Sequence, residues 1–88
     1  MTDHGDKKVN LTVVVNGTPV TVSANTNAAL NSVLEKALKE ADVPEKDPEK
    51  WEFKDEAGHI LDVHKKLSEL GLGEGSTVFL SLKAGVTG

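Results

Sequence analysis

The chain has 88 residues, one Trp, two Phe, no Cys and a formal net charge of −4. That length holds one domain with a largely aliphatic core. The missing thiols exclude disulfides, thiolate metal sites and a cysteine nucleophile. No basic run is interleaved with aromatics, so nucleic acid is not an expected partner, and no apolar run reaches membrane-spanning length.

Residues 1–8 are polar, carry no signal-peptide core and are expected to be a disordered tail ahead of a domain over residues 9–83. A soluble cytoplasmic monomer fits these features. Val9–Val15 and Thr18–Ser23 are β-branched runs separated by Asn16-Gly17. Asn-Gly between such runs marks a hairpin, because a type I′ turn needs positive φ at both central residues. Alternation puts Val9, Leu11, Val13 and Val15 on one face, with Val20 and Val22 on the same face of the partner strand. Pro19 is expected beside the turn or facing away from the ladder.

Asn25-Thr26-Asn27 reads as a cluster of helix-capping residues. Behind it, Leu30, Val33, Leu34, Ala37, Leu38 and Ala41 recur at helical spacing on one face. Pro44 cannot continue that helix, so it ends near Asp42. A charged loop with two prolines follows, then short strands at Trp51–Lys54 and His59–Asp62. Lys66–Leu72 has room for a single turn of helix or a tight loop. A last strand starts near Ser76, with Val78, Leu80 and Leu82 facing the core and Thr77, Phe79, Ser81 and Lys83 turned away. One amphipathic helix on a mixed sheet of four to five strands is an α+β architecture. In it Leu30, Val33, Leu34 and Leu38 pack onto Leu11, Val13, Val22, Val78 and Leu80, and the last strand takes a central place beside the first.

Catalytic and metal-binding readings fare poorly. His59 and His64 with Asp55, Glu56 and Asp62 lack zinc-site spacing, and His4 lies in the polar tail. Ser68, Ser76 and Ser81 stand in no nucleophile motif. Gly73-Glu74-Gly75 lacks the Lys and the following helix of a phosphate loop. No catalytic residue, metal or cofactor is therefore expected. Trp51 and Phe53 share a face and read as core. Phe79, turned outward beside Val14, is the candidate apolar interaction surface.

Asp42-Val43-Pro44 closes the helix much as ubiquitin's helix ends in Gly-Ile-Pro. Lys66–Leu72 resembles ubiquitin's Thr-Leu-Ser-Asp-Tyr-Asn-Ile turn, and Gly75–Lys83 its Glu-Ser-Thr-Leu-His-Leu-Val-Leu-Arg strand. Over residues 9–84 the chain resembles the ubiquitin-like β-grasp superfamily, in particular the divergent ubiquitin-like proteins of bacteria. The resemblance implies a protein modifier or carrier whose C-terminal glycine is activated by a partner adenylating enzyme, with a JAB-type peptidase as a further partner. Gly88 is then the conjugation terminus, with Gly85 the alternative. Ala84, Val86 and Thr87 are contacts of a flexible tail over 84–88. Ubiquitin-like modifiers commonly end in Gly-Gly, whereas this sequence has Gly85-Val86-Thr87-Gly88. On this alignment Glu52 and Ser81 stand where ubiquitin has members of its exposed apolar patch. The alternative reading is a non-covalent ubiquitin-like binding module of a larger assembly.

Overall fold

β1 (Lys8–Val15) and β2 (Thr18–Asn25) form the hairpin that the Asn-Gly pair predicts, with Val15 opposite Thr18 and Leu11 opposite Val22. The computed structural model describes residues 8–83. Asn16 and Gly17 take φ of 52° and 90°, the left-handed pair that a two-residue turn requires. β1 starts at Lys8, one residue before the expected boundary, because Lys8 pairs with Asn25. Val9, Leu11, Val13 and Val15 are buried on the inner face, with Val22 and Ala24 beside them.

Helix α1 (Leu30–Ala41) lays Leu30, Val33, Leu34, Ala37 and Leu38 onto that face. Its start differs from the sequence expectation. Ala29 is the capping residue, and no side chain caps the helix. Instead the amides of Leu30 and Asn31 donate to the carbonyls of Lys65 and Val63, both at 2.9 Å. Two free donors of the first turn are thus satisfied by a loop distant in sequence, and the Ser32 amide donates to the Ala29 carbonyl at 3.0 Å. Asn25 serves a turn instead, its Oδ1 accepting from the Asn27 amide at 2.8 Å. At the other end Asp42 adopts φ 53°, ψ 45° and closes the helix in the left-handed conformation.

A short 3₁₀ turn (Pro48–Lys50), capped by the Asp47 carboxylate, leads into β3 (Trp51–Lys54). Trp51 and Phe53 are buried, and the Trp51 indole N–H donates to the Glu45 carbonyl at 3.0 Å. The strand expected at His59–Asp62 shrinks to a single bridge between Ile60 and Lys54. Asp55 explains the shortfall on one side, since its Oδ1 holds the amides of Ala57 and His59 in a turn. On the other side Asp62 Oδ1 takes the His64 amide and turns the chain toward the helix N-terminus. Residues 67–71 form a tight turn, one of the two forms expected there, with Leu67 fully buried and Lys66 bridged to Ala29.

β4 (Thr77–Leu82) then enters the middle of the sheet, giving the order β2-β1-β4-β3. It runs parallel to β1, with Val13 opposite Val78, and antiparallel to β3, with Phe53 opposite Leu80. A four-stranded mixed sheet packed on one helix is the α+β β-grasp arrangement expected. Among the described residues no helix is long and apolar enough to cross a membrane.

Candidate functional site

Two surfaces and one chain exit are available for recognition. The first surface is the sheet face opposite the helix. Register aligns Pro19, Val14, Phe79 and Lys54 across all four strands. Phe79 is 39% exposed and Val14 is half-buried beside it, so the two residues singled out from alternation do meet. One row further along, Glu52 faces Ser81, and the Lys54 ammonium lies 3.6 Å from the Glu52 carboxylate. This end of the face is charged and polar where ubiquitin's patch is apolar.

The second surface is a groove of about 700 Å³ at the β3 edge, between α1 and the loop after the Ile60 bridge. Leu34 and Trp51 are part of its lining, and both are buried core residues that reach the groove through little surface. Leu61 and Val63 are half-buried in its wall, and Ile60, at 65% exposure, stands at its edge. Glu35, Asp47, Glu49, Glu52 and Asp62 also line it, and Lys83 is the one ammonium in the same lining. No single run of sequence signals this groove, because its lining comes from the helix, the proline loop, β3, the 60–64 loop and the end of β4.

The chain leaves the sheet at Lys83, whose amide donates to the Lys50 carbonyl at 2.9 Å. The tail residues Ala84, Gly85, Val86, Thr87 and Gly88 lie outside the described residues.

The remaining candidates have structural employment. Asp55 accepts two backbone amides, that of His59 foremost, and these hold its carboxyl below the usual carboxylate value against a smaller opposing effect of desolvation. The His59 ring lies 3.6 Å from the same carboxylate. Among the described residues no group of three His, Asp or Glu side chains is placed to hold a metal ion. Ser76 Oγ accepts the Gly73 amide at 2.9 Å. The 73–75 loop clasps the start of β1, with the Gly75 amide on the Asn10 carbonyl and Glu74 Oε1 accepting from the Asn10 amide.

Comparison with known proteins agrees with this geometry. A model for the family described as "Protein of Unknown function (DUF2604)" matches residues 4–88. The uncharacterized protein y4jI of Sinorhizobium fredii is 49% identical over 84 residues, which are 96% of this chain and 65% of that protein. The chain therefore spans slightly less than two thirds of that relative. Caldiarchaeum subterraneum ubiquitin superposes with a TM-score of 0.72 at 21% identity, covering 93% of this chain and all of that one. The ubiquitin-like domain of Plasmodium falciparum Dsk2 gives 0.72 at 20% identity over 88% of this chain and 100% of its own. A designed protein based on ubiquitin gives 0.76 at 21% identity, covering 98% of this chain and 99% of its own. At these identities the structural likeness establishes a shared fold.

Proposed function

The chain belongs to the family described as "Protein of Unknown function (DUF2604)" and has a ubiquitin-like β-grasp fold, and from that premise we propose that it is a ubiquitin-like protein modifier or carrier. The observation that carries the reading is the end of β4. The central strand finishes at Leu82, and beyond Lys83 come five residues, Ala84–Gly88, none of them large or charged.

The chemistry requires, and proceeds at, a free Gly88 carboxylate, whether encoded or exposed by processing. Its oxygen attacks the α-phosphorus of ATP within an adenylating partner, forming an acyl-adenylate and releasing pyrophosphate. An amine or other nucleophile then attacks the acyl carbon, expels AMP and loses a proton. Glycine suits both steps because the absence of a Cβ leaves the carboxyl group open to ATP and then to the nucleophile in a narrow channel. In this reading the tail threads that channel with Ala84, Val86 and Thr87 as its contacts, Gly85 is the terminus if the chain is trimmed first, and the protein works as a cytoplasmic monomer. A JAB-type peptidase would reverse the conjugation.

A second reading, a non-covalent binding module, is favoured by one specific feature. Phe79 is partly open to solvent beside Val14, an apolar pair that a partner can cover. The two readings separate in one assay. With a partner adenylating enzyme and ATP, the full chain is expected to support pyrophosphate exchange. Deleting Val86–Gly88 is expected to abolish exchange and leave the melting curve unchanged. Exchange that is absent, or that survives the deletion, refutes activation at Gly88.

A further inference from the structure

The groove at the β3 edge combines features that together specify a ligand. Its apolar lining is exposed chiefly at Ile60, which has the highest exposure among the large hydrophobic residues described. Its rim carries five carboxylates, and of these only Glu52 has an ammonium partner among the described residues, Lys54 at 3.6 Å. Among the described residues Glu35, Asp47, Glu49 and Asp62 have no ammonium partner, so their negative charge faces the groove uncompensated. Asp47 and Asp62 also accept backbone amides, of Glu49 and His64, which fixes their carboxylates in place. An apolar lining with a fixed acidic rim is complementary to an apolar side chain flanked by cations.

We propose that this groove is the docking site for a basic segment of a partner protein, in which a leucine-like side chain sits between lysines or arginines. Charge selects among the occupants. A second copy of the chain brings a net charge of −4 and is repelled by the rim. Nucleic acid and anionic membrane surfaces are repelled for the same reason. Position adds a second argument. Lys83, the residue directly after β4, lines the same groove. A partner held there is placed where the chain leaves the sheet. The site requires no activation of Gly88, so it stands or falls independently of the conjugation reading.

The test uses the isotope-labelled full chain and three synthetic peptides. The probe is acetyl-Lys-Arg-Leu-Leu-Lys-Arg-amide. One control replaces both leucines with glycine, and the other replaces every basic residue with an acidic one. The probe is expected to give saturable amide shifts at Glu35, Trp51 and Val63 at millimolar concentration, while both controls bind at least roughly tenfold more weakly. The double variant Glu35→Lys with Glu49→Lys is expected to bind the probe about tenfold more weakly, and added salt to weaken it further. Ile60→Ser, which alters an exposed side chain and no rim charge, is expected to weaken the probe without removing the salt dependence. No saturable shift, equal binding of the acidic control, or shifts confined to Val14 and Phe79 would overturn the proposal. So would self-association through the same residues in the free chain.

Discussion

Asp42 is the position where one substitution should make the protein more stable. It closes α1 at φ 53°, ψ 45°, and its amide donates to the Lys39 carbonyl at 3.3 Å. Left-handed backbone costs an L-residue roughly 1–2 kcal/mol, and Asp belongs to the low end because its short polar side chain tolerates the region. Glycine removes that strain. It also removes a carboxylate from the negative end of the helix dipole, worth a few tenths of a kcal/mol. Against these gains, glycine raises the entropy of the unfolded chain by about 0.5 kcal/mol. The Asp42–Lys46 ion pair at 3.6 Å joins two exposed side chains and contributes close to nothing. Asp42→Gly should therefore stabilise by about 0.5–1 kcal/mol, which raises Tm by roughly 2–8 °C in a domain of this size. Asp42→Ala, which keeps a Cβ and loses the side-chain oxygen, should destabilise. Urea denaturation with an unchanged m-value is the measurement. A glycine variant no more stable than wild type, with alanine neutral, would show that the helix is not closed in this conformation.

Leu34, 1% exposed in the centre of the helix face, should cost about 2–5 kcal/mol on truncation to alanine, read from the shift in the denaturation midpoint. A midpoint that barely moves would mean that the helix face is assigned wrongly. Asp55 links stability to pH. Its folded-state pKa lies below the unfolded one, so its contribution is present above the unfolded value and is lost as pH falls through the folded value. The stability gap between wild type and Asp55→Asn should accordingly be open at neutral pH and close in strong acid. A gap that persists unchanged at the lowest pH would exclude the carboxylate charge as its source.

Local rules located the elements whose causes are local. Asn16-Gly17 determined the hairpin because only a left-handed pair closes it, and the observed φ values have that sign. The period of Leu30–Ala41 identified the buried face of α1, and the alternation of Val78 and Leu80 against Phe79 oriented β4. The misreadings share another origin. Asn25-Thr26-Asn27 looked like a helix cap, yet the carbonyls that satisfy two donors of the first turn come from Val63 and Lys65. His59–Asp62 looked like a strand, yet Asp55 and Asp62 bind backbone amides on either side and leave one bridge. In both cases a backbone or side-chain oxygen elsewhere decided the outcome, and propensity within the segment carries no record of it. The acidic groove was hidden for the same reason. Its charges were visible singly in the sequence, but the topology alone brings Glu35 to the same opening as Asp47 and Asp62.

The two edges of the sheet are protected to different degrees. β2 and β3 are the outer strands. Thr18 closes the turn opposite Val15, so Pro19 turns its nitrogen to the open side of β2 and offers no donor there. Further along, the Lys36 ammonium donates to the Ser23 carbonyl at 3.1 Å and blunts the same edge. β3 is treated differently. Its outer side is occupied by the 59–61 segment only at Phe53 and Asp55, through the Leu61 and Asp55 amides. Beyond that bridge the edge borders the groove, and β4 beside it runs out at Leu82. The side of the sheet left least protected against a partner strand or loop is thus also the side from which the chain departs. A fold that needed only to be stable would gain from closing that edge as it closes β2. The proposed docking groove borders this open edge, so the peptide test also probes whether the edge is the part of the sheet a partner reaches.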